Sequence, residues 1–356
     1  MDRTEANSGT REVADRLRFD EAALAAWMAG HVEGFEGPLA VRQFKGGQSN
    51  PTYRLDTPAR SYVLRRKPPG ATLPGAHAVD REARVMAALG PTGFPVPRVF
   101  ATCDDEGVIG TPFFVMDMVE GRIVWEATFP GLAPADRAAH FDAMNRTIAR
   151  LHAIDPAAVG LADYGAPAAF VERQVRRWSK QYLGDVEGGR VPAMDALVDW
   201  LGTHLPPDSG EARIVHGDFR CDNMIFAADA PEVKAVLDWE LSTIGDPAAD
   251  FVYHLMMYRM PAGMFTGLKG LDFAALGIPT EEDYVAAYCR RTGRERIANL
   301  DYLSVFVMFR LAAITHGIRG RLRRGSASSA HAEATAAYTE PLAELALAQA
   351  RAARLD

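Results

Sequence analysis

The feature that most limits the fold of this chain is a single change in hydrophobic periodicity, which falls near Glu120. From Leu39 onward, short apolar runs alternate with turns rich in glycine, asparagine and proline, which predicts an antiparallel meander. After Glu120 the apolar residues recur at spacings of three and four, as in segment 135–153, which predicts amphipathic helices. We therefore expect an α+β fold with a small β-rich N-terminal lobe, residues 1–118, and a larger α-rich C-terminal lobe, residues 119–356.

Local patterns predict the individual elements that surround the meander. The first twenty residues are polar and predict a loose arm, and segment 21–32 predicts a helix. A second helix is expected over 80–89 with Asp80 as its N-cap, because a short polar side chain there satisfies free N–H groups of the first turn. Further helices are expected over 167–183 and 192–204.

Composition and charge disfavour several classes of protein. The 356 residues are 48% apolar and 24% charged, as in ordinary globular proteins, and the net charge of −7 disfavours a nucleic-acid binder. The three cysteines form no CxxC pair, which disfavours a disulfide scaffold and a cysteine zinc site. The N-terminus lacks the apolar core of a secretory signal, and no apolar run approaches the roughly 20 residues that span a bilayer. We expect a cytoplasmic protein that binds neither nucleic acid nor membrane.

The densest chemical signal is an H-G-D-x-x-x-x-N string that begins at His216 and ends at Asn223. At ordinary residue frequencies, such a string arises by chance in a chain of this length about one time in a thousand. Its aspartate, Asp218, lies on the loop that this string is expected to form and can face a hydroxyl nucleophile. A carboxylate that orients an attacking hydroxyl and accepts its proton late suits phosphoryl transfer, in which catalysis is mostly positioning and charge neutralisation.

Two short apolar runs, Met224–Phe226 and Val233–Leu237, follow this string and are separated by the turn-forming sequence AADAPE. If they pair as an antiparallel hairpin, Asn223 and Asp238 lie side by side at its open end. An amide oxygen and a carboxylate form a small, hard oxygen site, which suits Mg²⁺ with water and phosphate oxygens as its other ligands.

These motifs resemble those of the aminoglycoside phosphotransferase family, small-molecule kinases with a bilobal protein-kinase-like fold. The resemblance runs from about Phe44 to about Gly320 and is most specific over 214–250. It is closer still to the kinase-like domains associated with acyl-CoA dehydrogenases. The stretches that look like this subgroup are FKGGQSNPTYRL, YVLRRKPPG, HAVDREARVMAAL, VERQVRRWSKQY and HGDFRCDNMIF.

The resemblance implies an enzyme that uses ATP and Mg²⁺ and phosphorylates an alcohol group of a small molecule. Asp218 corresponds to the catalytic aspartate, and Asn223 and Asp238 correspond to the metal ligands. His216 is expected to shape the loop, and Glu240 is not expected to bind the metal. The later acidic residues of the family pattern are expected to brace the catalytic loop, and they are Asp246 and Asp250.

The resemblance also implies a nucleotide site in the N-terminal lobe. Strand alternation puts Val63, Arg65 and Lys67 on one face, and the resemblance places Arg65 in the phosphate-binding cation position with Glu82 as its partner. Lys67 is the alternative cation, and an ordinary surface ion pair is the alternative for Arg65 and Glu82. The remaining residues expected at the nucleotide form the phosphate loop, a strand position and the hinge, and they are Gly46, Gly47, Gln48, Ser49, Asn50, Val63, Met116, Asp117 and Met118. The two glycines alone are equally consistent with a plain turn.

Two basic stretches bear on the acceptor, because a polycationic acceptor needs an acidic cleft. Such runs are typical of solvated helix faces, and the alternative is a binding site for a polyanionic small molecule. In that second case their cations favour an anionic acceptor, and the subgroup resemblance points to a hydroxyacyl-CoA thioester or a related acid. The alternative is a catalytically silent nucleotide-binding scaffold of the same fold. The two stretches are Arg173, Arg176, Arg177 with Lys180, and Arg319, Arg321, Arg323 with Arg324.

Overall fold

The computed structural model of this protein describes residues 8–46, 50–70, 78–325 and 332–355. Its strands are, in chain order, β1 (Thr10–Arg11), β2 (Ala40–Phe44), β3 (Thr52–Asp56), β4 (Ser61–Arg66), β5 (Val99–Cys103), β6 (Phe113–Asp117), β7 (Arg122–Ile123), β8 (Arg213–Val215), β9 (Met224–Phe226), β10 (Val233–Val236) and β11 (Thr243–Gly245). Its α-helices are α1 (Glu21–His31), α2 (Val79–Leu89), α3 (Glu106–Ile109), α4 (Pro134–Ala153), α5 (Phe170–Gly184), α6 (Pro192–Thr203), α7 (Pro247–Arg259), α8 (Phe273–Leu276), α9 (Glu281–Thr292), α10 (Leu300–Arg323), α11 (Ala332–Ala336) and α12 (Thr339–Ala352). Short 3-10 turns lie at Asp15–Leu17, Gly90–Thr92, Cys221–Asn223 and Trp239–Leu241.

The chain forms two compact units. The first contains Met1–Trp125, Val159–Leu161 and Cys221–Ser242, and the second contains Glu126–Ala158, Ala162–Arg220 and Thr243–Asp356. The sequence-based division assigned everything after residue 118 to one lobe. In the structure the segment Cys221–Ser242 belongs to the first unit, because its strand β9 pairs with β7.

The first unit is built on a six-stranded sheet in the order β1–β2–β3–β4–β6–β5, in which every neighbouring pair is antiparallel. The predicted meander is confirmed, since β2, β3 and β4 are consecutive both in the chain and in the sheet. One face of the sheet packs on helix α1, whose Leu24 and Met28 are fully buried with Tyr53 and Leu64 of the sheet. The predicted helix over 21–32 is therefore also confirmed.

Two local predictions about this unit are wrong. The N-terminal arm is not loose over residues 8–20, because β1 pairs with Gln43 and Phe44 and the Tyr53 hydroxyl donates to the Leu17 carbonyl over 2.9 Å. Asp80 is not the N-cap of α2. The helix begins one residue earlier, at Val79, so Asp80 lies within its first turn and Ala78 occupies the cap position without a side-chain hydrogen bond.

The predicted hairpin is present in the first unit. Strands β9 and β10 are antiparallel, with Val236 opposite Met224 and Val233 opposite Phe226. A register shift between Val233 and Ala235 marks a local irregularity, and β7 adds a third strand on the other side of β9. The alternation of apolar runs with a turn was therefore sufficient to predict this pairing.

The second unit is mainly helical, and β8 and β11 form its two-stranded antiparallel sheet. The predicted stripe on α4 is confirmed, because its four members are fully buried: Phe141, Met144, Ile148 and Leu151. In the described residues, α10 is long and apolar enough to cross a membrane by length and composition alone. Its sequence contains no uninterrupted apolar run of that length, because Asp301 and Arg310 lie among its apolar residues. Since 83% of its apolar window is buried inside the fold, α10 has the burial of a core helix.

Candidate functional site

The hairpin of the first unit brings two oxygen-bearing residues to its open end. The Leu237 N–H donates to the Asn223 carbonyl over 2.8 Å, which extends the ladder one step past Met224 and Val236. Asp238 follows directly and adopts a left-handed backbone conformation, with φ +63° and ψ +60°. The next residue, Trp239, is fully buried and donates to the Val236 carbonyl over 2.9 Å, which anchors the turn.

Arg65 is the central cation of this unit. It lies on β4, and its Nε donates to Glu82 Oε2 over 2.7 Å while Nη2 donates to Asp238 Oδ1 over 2.6 Å. Burial opposes its charge, but Glu82 and Asp238 outweigh this effect and raise the pKa of Arg65. Burial also raises the pKa of Glu82, against the influence of Arg65. The predicted contact between Arg65 and Glu82 is therefore present, and Asp238 is a second partner that the sequence did not indicate.

The other residues predicted to bind the nucleotide fall into three groups. Val63 of β4 is buried and lies opposite the buried Met116 of β6, while Asp117 forms an ion pair with Arg60. Asn50 is buried and its amide donates to Glu240 over 3.5 Å. Gly46 belongs to the described residues, whereas Gly47, Gln48 and Ser49 lie outside them. The roles of Met118 and of all the other residues in this set remain predictions.

The H-G-D-x-x-x-x-N string, residues 216–223, lies partly in the second unit. There, Asp250 of α7 holds the backbone of the string. The Asp250 carboxylate accepts the His216 N–H over 2.8 Å and the Gly217 N–H over 2.7 Å. Gly217 has a φ of +82°, a conformation that favours glycine. Burial would raise the pKa of Asp250, but His152 at 3.2 Å and His216 outweigh burial and hold that pKa below its usual value.

Two other predicted roles on this loop can be compared with the observed contacts. His216 Nδ1 accepts the Asp218 N–H over 3.1 Å, so His216 contacts the loop backbone as expected. Asp246, in contrast, caps α7 through the Ala248 N–H at 2.7 Å and accepts the Ser209 hydroxyl at 2.8 Å. Of the two predicted bracing residues, it is Asp250 whose carboxylate contacts the loop.

The carboxylate of Asp218 is held by two neighbours. The Tyr253 hydroxyl of α7 donates to Oδ1 over 2.5 Å, and Arg220 Nε lies 3.0 Å from the same oxygen. The Asp218 side chain retains 18% exposure, so it is accessible to a small molecule. Sequence reasoning missed Tyr253, although its position one helical turn after Asp250 puts both on the same face of α7.

A cluster of arginines surrounds this loop. Arg310 of α10 donates to the Gly217 carbonyl over 2.7 Å, and its guanidinium lies 5.0 Å from the centre of the Tyr253 ring. Burial and the positive charge of Arg310 lower the pKa of Arg177 on α5. Arg220 pairs with Asp218, so two arginines contact the loop directly and a third lies near Arg310.

A groove of about 610 Å³ lies at the C-terminal end of α5 in the second unit. Arg177 and Lys180 line it, and neither has a carboxylate within ion-pair distance in the described part of the chain. Arg324 also lines it, but Arg324 pairs with Asp185 over 2.6 Å. Glu187 and Asp185 line the groove as well, so its lining carries three cations and two carboxylates.

Several histidine and cysteine side chains with no predicted role in the site are engaged in the fold. His152, His254 and His316 all form hydrogen bonds in the helical unit, and Cys221 is buried. The described residues hold no group of three or more histidine, cysteine, aspartate and glutamate side chains that would bind a metal. A metal at the hairpin would therefore rely on Asn223 and Asp238 together with ligands from water or nucleotide, which is the usual way of holding Mg²⁺.

Comparison with known proteins identifies relatives along nearly the whole chain. The sequence model of a phosphotransferase enzyme family, APH, matches residues 40–300. Acyl-CoA dehydrogenase family member 10 of Mus musculus is 43% identical over 340 residues, which are 95% of this chain and 32% of that protein. The human family member 11 is 40% identical over 345 residues, which are 96% of this chain and 44% of that protein. The chain thus spans less than half the length of these relatives.

Solved structures show the same fold. A candidate aminoglycoside phosphotransferase from Ralstonia eutropha JMP134 has a TM-score of 0.86 and 48% identity, and the match covers 95% of this chain and 100% of that one. Aminoglycoside phosphotransferase APH(4)-Ia, solved with ADP and hygromycin B, has a TM-score of 0.60 and 15% identity, covering 93% and 98%. The Ralstonia protein is similar to this chain in both sequence and structure. APH(4)-Ia shares the protein-kinase-like fold alone.

Proposed function

The chain belongs to the phosphotransferase enzyme family, and on that premise we propose that it transfers the γ-phosphoryl group of ATP to a hydroxyl group of an anionic small molecule. The observation that carries the proposal is Asp218, a partly exposed carboxylate held by Tyr253 and Arg220 among cationic side chains. A carboxylate in such a position can orient a hydroxyl and receive its proton. The solved complex of a fold neighbour with ADP supports a nucleotide as the phosphoryl donor.

In the proposed reaction, the acceptor oxygen forms a bond to the γ-phosphorus as the bond to the β–γ bridging oxygen breaks. The hydroxyl proton passes to Asp218, and ADP leaves. Arg65, fixed by Glu82, supplies a permanent positive charge for the nucleotide phosphates. Asn223 and Asp238 would hold Mg²⁺, which when bound neutralises the charge that develops on the phosphates.

The positive charge near Asp218 supports an anionic acceptor. Arg220 and Arg310 contact the catalytic loop, and Arg177 lies near Arg310 and lines the groove on α5. A polycationic acceptor would meet repulsion there, whereas a carboxylate or phosphate would be attracted. We propose a hydroxyacyl-CoA thioester or a related hydroxy acid, in agreement with the acyl-CoA dehydrogenase names of the relatives.

The first test is phosphoryl transfer from radiolabelled ATP to a panel of hydroxyacyl-CoA thioesters, free hydroxy acids and hygromycin B. We expect labelled anionic product from the wild type, no product from Asp218→Ala, and no product with hygromycin B. Transfer to hygromycin B alone would contradict the anionic acceptor. Absence of transfer to every acceptor would contradict the phosphotransferase proposal.

The second test concerns the cationic groove. Replacing Arg177 and Lys180 together by glutamine should raise KM for the anionic acceptor by about tenfold, the effect of losing one charge-assisted hydrogen bond. Arg176→Gln is the matched control, because Arg176 lies on the same helix, pairs with Glu172 and does not line the groove. An equal KM in the double variant and the control would exclude the groove from acceptor binding.

A catalytically silent nucleotide-binding scaffold is the second candidate, because Arg65 pairs with Asp238, which is itself a proposed metal ligand. Thermal melting with ATP, with and without Mg²⁺, separates the two when combined with the transfer assay. A nucleotide at 100 times its Kd should stabilise the protein by about 2.7 kcal/mol. Stabilisation by ATP without any transfer would favour the scaffold, and loss of the Mg²⁺ effect in Asp238→Asn would support the metal site.

A further inference from the structure

Helix α7 contacts the catalytic loop at two positions that are one helical turn apart. Asp250 accepts two backbone N–H groups of the loop, and Tyr253 donates its hydroxyl hydrogen to the Asp218 carboxylate over 2.5 Å. The first contact fixes the loop backbone, whereas the second reaches the reacting side chain itself.

The Tyr253 hydroxyl is fixed as a hydrogen-bond donor. Its side chain is buried at 3% exposure, and Arg310 lies over its ring at 5.0 Å while also donating to the Gly217 carbonyl. Burial and the negative charge of Asp218 raise the pKa of Tyr253, so the hydroxyl keeps its proton throughout the range in which enzymes are assayed.

We infer that Tyr253 is a positioning residue that acts through Asp218, an inference that rests on the proposed function. Asp218 Oδ1 accepts the Tyr253 hydroxyl over 2.5 Å, and Oδ2 accepts Arg220 Nη2 over 3.4 Å, while Arg220 Nε forms an ion pair with Oδ1 at 3.0 Å. Contacts on both oxygens fix the rotation of the carboxylate. A carboxylate held in one rotation presents a constant geometry to the attacking hydroxyl, and small displacements of a catalytic group slow a reaction strongly.

Tyr258 provides a matched comparison on the same helix. It is also buried, at 5% exposure, but its hydroxyl has no hydrogen-bond partner among the described residues. Tyr253→Phe and Tyr258→Phe each remove one buried hydroxyl from α7 and leave the ring in place. The two variants therefore differ in whether the lost hydroxyl contacted Asp218.

The experiment measures kcat, KM for ATP and melting temperature for both variants, with the acceptor that the wild type uses. We expect Y253F to lower kcat by about 10- to 100-fold, a part of the effect of a positioned general base, with KM for ATP within about twofold of the wild type. Y258F should keep wild-type kcat. Equal kcat in the two variants overturns the inference, as does a Y253F melting temperature well below that of Y258F, which would assign the hydroxyl to stability.

A double-mutant cycle with Asp218→Asn tests whether Tyr253 acts through Asp218. Y253F should change the residual rate of D218N by less than about twofold, because the carboxylate that it positions is already gone. A similar loss in both backgrounds would show an independent role and overturn the inference. A wild type that turns over no ATP would refute the proposed function and this inference with it, whereas an active wild type with Y253F equal to Y258F refutes the inference alone.

Discussion

His254 makes the stability of this protein sensitive to mild acid. It lies on α7 at 3% exposure, between the Phe219 carbonyl at 3.1 Å and the Tyr284 hydroxyl at 2.7 Å. Burial lowers the pKa of His254 from 6.5 to about 4, because the charged ring would lose its hydration. The folded protein therefore keeps this ring neutral at a pH at which the unfolded chain protonates it.

The sign and size of the effect follow from proton linkage. Because the folded pKa lies below the unfolded value, the contribution to stability is fully present above pH 6.5 and is lost as the pH falls towards 4. With pKa values of 6.5 and about 4, the free energy of unfolding falls by about 2 kcal/mol between pH 7.5 and pH 5 through this residue alone.

The assay is urea denaturation of the wild type and His254→Gln at pH 7.5, 6.5, 5.5 and 5.0. Glutamine does not titrate, so the stability advantage of the wild type over the variant should shrink by about 2 kcal/mol across this range. The subtraction removes the titration of groups that both proteins share.

A constant difference between the wild type and His254→Gln, within about 0.5 kcal/mol over the whole range, would refute the reasoning. It would mean that His254 is protonated as easily in the folded protein as in the unfolded chain.

Further predictions concern packing and the catalytic loop. Asp250→Asn should lower the free energy of unfolding by about 2 kcal/mol in urea denaturation, because one amide oxygen replaces a carboxylate that accepts two backbone N–H groups; an unchanged midpoint would contradict this. Gly165→Ala should destabilise by about 1–3 kcal/mol, because its Cβ would overlap Thr243 and lie 2.7 Å from the Ile244 N atom. Gly202→Ala is its control and should be neutral or slightly stabilising, since open space surrounds that position.

Features that depend on local pattern could be predicted from the sequence. The stripe on α4 follows from apolar spacing, and the pairing of β9 with β10 follows from two apolar runs and the turn between them. The register does not follow from that pattern, because Asn223 lies opposite Leu237 and not opposite Asp238. The contact of Arg65 with Glu82 was expected because strand alternation and the family resemblance named the same residue. In each case the residues that form the pattern belong to one secondary-structure element or to two elements that are consecutive in the chain.

Features that depend on distant pairing could not be predicted in the same way. Strand β1 contains only two residues and pairs with Gln43 and Phe44, so its short polar sequence gave no period to detect. Arg310 reaches the Gly217 carbonyl across 93 positions of the chain, and nothing near Arg310 identifies its partner. Tyr253 was missed as well: its spacing of three residues from Asp250 is compatible with a shared helix face, but that spacing does not identify the residue that it contacts.

The left-handed backbone at Asp238 limits which amino acids can replace this residue during evolution. Most side chains lose about 1–2 kcal/mol in that conformation, whereas glycine is free of the penalty and asparagine and aspartate tolerate it. A lineage that lost the need for a carboxylate here would therefore accumulate asparagine or glycine at position 238 before any other residue. In relatives of this chain, asparagine or glycine at that position would then mark loss of the proposed metal ligand, even where the rest of the hairpin is unchanged.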